Sequence, residues 1–291
     1  MKLTHLTILA LSGIICACSQ PQKSNVAAQK QTDTVSTKQD QIAPVTAMLN
    51  NVPDTSKLGL PVIPVSAILK DFMSFWAYYS GQVELYEDFT ALDPKGEVIT
   101  KEQFLKQLNT GRYFPLVLTS KPAELRYKLS KIPVSADKSI AAYMEQFSAQ
   151  ELAFLKLEGK KIPKFNFRDV DGKLYTSENT KGKIVLFKCW FIGCVACVKE
   201  MPALNELVEK YKDRDDILFI SLAMDGKKKL QKFLTTTKFD YATVPDQTNY
   251  MADKLKVSVY PTHFLINKEG ILVRVLPNDV QVAESLAKLL P

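Results

Sequence analysis

Apolar and polar positions alternate along this chain in a way that changes character several times. Leu6 to Ile15 is an apolar run behind Lys2, and the stretch from Ser19 to about Lys57 is rich in Gln, Ser, Thr, Lys, Asn and Ala. No aromatic residue occurs between Ser19 and Asp71. Such a segment cannot bury enough apolar surface to offset its chain entropy, so residues 18–58 read as a flexible tether. From Leu60 onward the periodicity changes. Leu69, Phe72, Trp76 and Tyr79 recur at helical spacing and predict an amphipathic helix over residues 66–80. Residues 83–92 have strand character and end at the turn-forming Asp93-Pro94-Lys95-Gly96. Thr100-Lys101-Glu102-Gln103 fits a capping box, opening a helix that stops near Gly111. Residues 114–118 and 125–129 read as short strands, and 137–157 as a long helix.

The remainder alternates strands and helices. Around Asp171-Gly172, residues 163–174 alternate apolar and polar as a hairpin does. The apolar run 184–190 reads as a strand, followed by a helix from the cysteine pair to about Tyr211. A strand at 217–223, a helix at 227–236, a short strand at 241–244 and a helix at 250–255 come next. A hairpin of 262–267 with 271–276 turns through Lys268-Glu269-Gly270, and a helix over 280–290 closes the chain. The fold class expected is α/β, with a smaller α+β domain at 59–158 ahead of a second domain at 159–291. The first region carries no recognisable catalytic constellation, and its many aromatics follow the element periods as core residues do.

Length and charge narrow the function. At 291 residues the chain is long enough for two domains. Its net charge of +7 is spread along the sequence without a basic stripe interleaved with aromatics, a pattern that does not point to a nucleic-acid partner. Residues 1–17 read as a signal peptide, too short to span a bilayer comfortably. Its end, Ile15-Cys16-Ala17-Cys18, resembles a bacterial lipobox, with cleavage before Cys18 and a lipid on that cysteine. Loss of Lys2 with the leader lowers the net charge by one. The expected location is the cell envelope, on the periplasmic side, with the membrane engaged through the lipid.

The other three cysteines, Cys189, Cys194 and Cys197, lie close together. Structural disulfides would scatter through the chain, so this clustering points to site chemistry. Cys194-Val195-Ala196-Cys197 lies at a strand-to-helix junction, where unpaired backbone N–H groups favour a thiolate. Cys194 is therefore assigned as nucleophile and Cys197, one turn on, as resolving thiol. No cofactor or metal is needed for that exchange.

The order of elements, with its dithiol, resembles the thioredoxin superfamily and more narrowly its membrane-tethered TlpA/ResA-like thiol–disulfide oxidoreductases. The likeness is carried by the Phe165-x-Phe167-x-Asp169 hairpin and by Trp190-x-x-x-Cys194-x-x-Cys197-x-x-Glu200-Met201-Pro202. Tyr260-Pro261-Thr262 and Phe264-Leu265-Ile266-Asn267-x-x-Gly270 complete it. The resemblance implies a thioredoxin-like central mixed sheet flanked by helices, an inserted strand–helix unit near 240–255, and a cis bond at Tyr260-Pro261 facing the dithiol. It also implies oxidised protein thiols as substrates, an upstream membrane or periplasmic dithiol donor, and the reductant direction.

In ResA-like proteins a glutamate matching Glu200 influences cysteine ionisation; the alternative here is an exposed glutamate of a first helical turn. Lys188 replaces a strand aspartate that in thioredoxins exchanges protons with the resolving cysteine. The expectation for Lys188 is a buried stem with its amine in water; a pair with Glu200 or a stabilised thiolate is the alternative. Trp190, Tyr260 and Thr262 are further candidate modulators. Cys189, at a position often aromatic in the family, is expected to be a core thiol; the alternative is an accessible thiol able to form a disulfide with the pair. Gly193 stands where a second tryptophan is frequent, which should leave the nucleophile more accessible, and Val195-Ala196 lacks the family's frequent proline. His263 is expected to be a structural strand residue, although a dithiol with one histidine invites comparison with Sco-like copper chaperones. Those use a different cysteine spacing. A peroxiredoxin would need a Pro-x-x-x-Thr-x-x-Cys run that is absent here. The second class of function is a partner-binding or assembly module with a regulatory dithiol.

Overall fold

The computed structural model describes residues 57–290, which lie within one compact unit, Val52–Pro291. The leader, Cys18 and all but the last residues of the expected tether fall outside them.

The first region opens with a short helix α1 (Val65–Ile68) and a longer helix α2 (Phe72–Gln82). The single amphipathic helix expected over 66–80 is thus divided. Asp71 takes an extended conformation and its side chain accepts from the Ser74 N–H, so it caps a new helix instead of continuing the old one. The face expected inward is also shifted: Phe75 and Tyr78 are buried while Trp76 is exposed. The strand expected over 83–92 is confined to β1 (Thr90–Leu92). Ahead of it, the Val83 N–H caps α2 at Tyr79, the Glu84 N–H goes to the Tyr127 hydroxyl, and Glu87 turns back onto Glu84. Those backbone groups are consumed locally and cannot enter a ladder.

After β2 (Val98–Ile99) comes α3 (Lys101–Leu108), whose N-terminus is a capping box with both Thr100–Gln103 bonds formed. Strands β3 (Tyr113–Val117) and β4 (Arg126–Lys131) and the long helix α4 (Lys138–Leu157) complete the region. The sheet order is β2-β1-β4-β3, with β1 and β4 parallel and the other pairs antiparallel. Phe75, Phe104, Phe114, Tyr127 and Met144 form its core.

The hairpin strands β5 (Asn166–Arg168) and β6 (Leu174–Thr176) follow, with Gly172 at φ 92° in the turn, a conformation L side chains rarely adopt. The main sheet runs β11-β10-β7-β8-β9. Its members are β7 (Ile184–Trp190), β8 (Ile217–Ala223), β9 (Ala242–Val244), β10 (Thr262–Ile266) and β11 (Leu272–Leu276). β7, β8 and β9 are parallel; β10 is antiparallel to β7 and to β11. Helices α5 (Val195–Lys199), α6 (Met201–Lys210), α7 (Lys227–Leu234) and α8 (Asp279–Leu289) belong to this half, with a π-helical turn at Tyr250–Lys254. It is a thioredoxin-like mixed sheet flanked by helices.

Every residue of β7 is buried, as befits a strand paired on both edges and covered on both faces. Ile184, Leu186 and Trp190 pack in one core with the dithiol, whereas Val185, Phe187 and Cys189 pack in the core on the other face. The strand's alternation thereby assigns Lys188 to the dithiol side. The single helix expected from the dithiol to Tyr211 is broken at Glu200. Pro202 has no N–H to donate and sits in the first turn of α6, so the chain restarts there.

Candidate functional site

Strand β7 delivers the chain to the site and α5 carries it away. Cys194 is the N-cap of α5: its backbone is extended and its Sγ accepts from the Cys197 N–H at 3.2 Å. The two cysteines are joined in a disulfide with Cα atoms 5.2 Å apart. Their exposure is unequal. Cys194 is 8% exposed and Cys197 0%, while Val195 between them is 81% exposed. An incoming sulfur can therefore approach the first cysteine from the loop side. The loop ahead is tied by the Ile192 N–H, which donates to Asp225 at 2.7 Å, and by the Cys194 N–H, which donates to the Phe191 carbonyl. Gly193 is exposed.

The peptide bond Tyr260–Pro261 is cis. Thr262 closes the turn, its hydroxyl donating to the Val259 carbonyl at 2.6 Å, and it pairs with Cys189 in the β10–β7 register. The Tyr260 ring meets the Phe191 ring edge-on at 5.5 Å, linking the cis-proline turn to the loop before Cys194. Trp190 is fully buried against Phe233 and Phe239.

Beneath the dithiol lies a polar arrangement that the sequence reading only partly anticipated. Lys188 is 0% exposed, and its ammonium is bonded to Glu200 Oε1. The expectation that its amine reaches water is therefore incorrect. The central strand is sealed on this face by the dithiol helices, and Glu200, at the junction between α5 and α6, supplies the counter-charge. Glu200 is itself buried, which excludes the exposed first-turn alternative. His263 Nε2 lies 3.0 Å from the same Oε1. Burial pushes the Glu200 carboxyl up, but the hydrogen bond and charge of His263, and then those of Lys188, outweigh it and hold it below its ordinary value. Burial pulls the Lys188 ammonium down, partly offset by Glu200, and does the same to the His263 imidazole.

The register extends this group sideways. His263 faces Lys188, Lys188 faces Ser221, and Ser221 faces Thr243. One buried polar side chain per strand thus forms a row across β10, β7, β8 and β9, with Ser221 donating to Thr243 at 3.0 Å. The Lys188 ammonium also sits 5.9 Å over the Phe239 ring. Ser221, Thr243 and the role of His263 in holding Glu200 were missed from sequence. The available signal was a lone polar residue in each of β7, β8 and β9, and the Thr262-His263 pair opening β10.

Cys189 packs on the opposite face of β7 from the dithiol, as a core thiol, and burial pushes it well above the ordinary thiol range. That side of the sheet gives it no route to a disulfide with Cys194 or Cys197.

The cysteine pair at the N-terminus of a helix, a cis-proline turn alongside, and a central mixed sheet describe a dithiol exchange centre. Residues 159–275 match the model of the AhpC/TSA family. The thiol–disulfide oxidoreductase ResA of Bacillus cereus is 30% identical over 153 residues, covering 51% of this chain and 86% of that protein. This chain belongs to the TlpA/ResA-like branch of the thioredoxin superfamily. Another relative is the thioredoxin-like protein YneN of Bacillus subtilis, 27% identical over 40% of this chain and 68% of that protein. A solved structure similar to it is a thiol–disulfide oxidoreductase of Bacteroides vulgatus, with 23% identity and a TM-score of 0.42 over 46% of this chain and 97% of that one. This ResA-like chain is a thiol–disulfide oxidoreductase. It departs from the pattern on which its resemblance rests at Lys188, Gly193 and Val195-Ala196, and the first of these departures has a structural partner in Glu200.

Proposed function

We propose that Cys194 is the nucleophile and Cys197 the resolving thiol of an exported, lipid-tethered oxidoreductase that reduces disulfides in other proteins. The observation that carries the assignment is the asymmetry of the pair. Cys194 is the member that reaches the surface, and the Cys197 N–H points at its sulfur, where it stabilises a thiolate. In the reductive direction the Cys194 thiolate attacks one sulfur of a substrate disulfide and expels the other as a thiolate, leaving a mixed disulfide. Cys197, having lost its proton, attacks Cys194 Sγ and releases the second substrate thiol. Two electrons pass to the substrate and the Cys194–Cys197 disulfide remains, to be reduced by an upstream dithiol donor. The turn at cis-Pro261, with Tyr260 and Thr262 beside it, offers the backbone edge on which the substrate chain lies. Glu200, held by Lys188 and His263, sits one turn past Cys197 and sets the charge near the resolving sulfur, with Trp190 walling the same core.

Lipidation at Cys18 and a tether over 18–58 belong to the same reading, supported by the lipobox-like Ile15-Cys16-Ala17-Cys18 and the polar stretch behind it, and within the compact unit the regions 59–158 and 159–291 are read as two domains, each with its own sheet. Envelope location on the periplasmic side follows from them. Copper handling has no support at His263, whose Nε2 is engaged by Glu200.

Redox titration of wild type, Cys194→Ser and Cys197→Ser, with a disulfide-reduction assay, tests the reading. Cycling with a dithiol donor by wild type alone is expected; a pair that never cycles sinks it. Membrane fractionation of Cys18→Ala tests the anchor, and a variant that stays with the membrane contradicts it.

A further inference from the structure

A cavity of about 470 Å³ lies beside the cis-proline turn, between the first region and the thioredoxin-like half. One wall is Val259, Pro261 and Thr262; the facing walls come from the end of α2 and the loop after it, and from α4. Tyr79, Phe147 and Phe154 give it aromatic sides, and Glu84 and Glu151 give it carboxylates. Among the described residues lining it there is no lysine, arginine or histidine, in a chain whose net charge is +7. The Glu84 backbone N–H is held by the Tyr127 hydroxyl, which fixes that side of the wall. No side-chain hydrogen bond or ion pair engages the Glu151 carboxylate among the described residues, and its nearest cationic influence is Lys101 outside the cavity lining.

We infer that this cavity is a substrate subsite for a basic side chain, Lys or Arg, lying a few residues from the reacting cysteine of a polypeptide stretched along the cis-proline edge. The inference rests on the reading that Cys194 exchanges disulfides at that edge. An extended chain advances about 3.3 Å per residue, so a segment leaving the turn enters the cavity within a few residues. The aromatic walls take the methylene stem of the side chain and the carboxylates its charged end. The first region then acts as the selectivity wall that the dithiol half alone lacks.

The groups facing Glu151 fix the pH behaviour. Lys101 of α3 and Glu158, just past the end of α4, act on it, and so does Tyr79 of α2. Burial pushes the Glu151 carboxyl up to about 7, against the partial opposition of Lys101. A cation binds the ionised form, so affinity for a basic peptide rises as pH increases through that value.

The test uses the full-length oxidised protein and short extended peptides in which serine replaces cysteine, with Lys, norleucine or Glu placed two to four residues to either side. Fluorescence anisotropy should show the Lys peptide binding at least tenfold tighter than the norleucine peptide, and the Glu peptide weakest. Glu151→Gln or Glu84→Gln should abolish the preference for Lys over norleucine and, for Glu151→Gln, its rise with pH. Equal affinity for the three peptides, or a preference for Lys untouched by both variants, overturns the inference. Because serine peptides bind without sulfur chemistry, the two readings separate. The same peptides with cysteine restored, presented as disulfides to the reduced protein, report turnover: selective binding without such turnover sinks the redox assignment, whereas turnover without selectivity sinks only the subsite.

Discussion

Replacing Lys188 with Met removes the ammonium that bonds Glu200 and sits over the Phe239 ring while keeping an unbranched apolar stem. Breaking a buried ion pair from one side costs about 3–5 kcal/mol, because a carboxylate is left uncompensated. His263 still reaches the same Oε1 at 3.0 Å, which places the loss at the lower end, about 3 kcal/mol. For a folded unit of this size that lowers Tm by about 6–12 °C. Urea and thermal melts at pH 7.5 measure it, and the double variant Lys188→Met/Glu200→Gln should recover much of the loss, since no buried charge then lacks a partner. The pH dependence has a defined sign. Folding holds the His263 imidazole below its ordinary 6.5, so wild-type stability declines as pH falls through that value and the unfolded chain takes up the proton. Glu200, held below 4.5, adds stability that is present above that value and is lost on further acidification. In Lys188→Met the Glu200 loss should begin at a higher pH. A single variant as stable as wild type, or a double variant whose loss is the sum of the singles, would refute the argument that the three residues act as one buried unit.

Other consequences are simpler to check. Thr100→Ala removes one half of the capping box on α3 and should cost about 1 kcal/mol by urea melts, with Thr100→Ser recovering most of it. Cys189, buried on the face of β7 away from the dithiol, should resist alkylation in the reduced folded protein and label only on unfolding, read by peptide mass spectrometry.

Much of the fold was legible because its elements carry local signals. The capping box at Thr100, the Asp171-Gly172 turn and the continuous apolar run of β7 each state their structure within a few residues. The errors arose where a side chain competed with a period. Asp71 capped a helix inside an apparently continuous helical pattern, and Pro202 split another at Glu200. The cysteine pair and the cis-proline turn were readable as motifs, whereas the partners of Lys188 were not. Charge burial depends on which strands lie side by side, and the His263–Lys188–Ser221–Thr243 row exists only once the register across four strands is known. A lone lysine in an apolar run therefore looked like a snorkelling residue. The cavity at Pro261 was invisible for the same reason, since its walls come from segments far apart in the chain.

The central claim is that Cys194 attacks and Cys197 resolves. Its most direct measurement is mass spectrometric trapping of mixed disulfides after exposing reduced single-cysteine variants to oxidised protein substrates. Cys197→Ser should accumulate a covalent adduct through Cys194, and Cys194→Ser should accumulate little or none. Equal adducts through either cysteine, or adducts only through Cys197, would contradict the assignment.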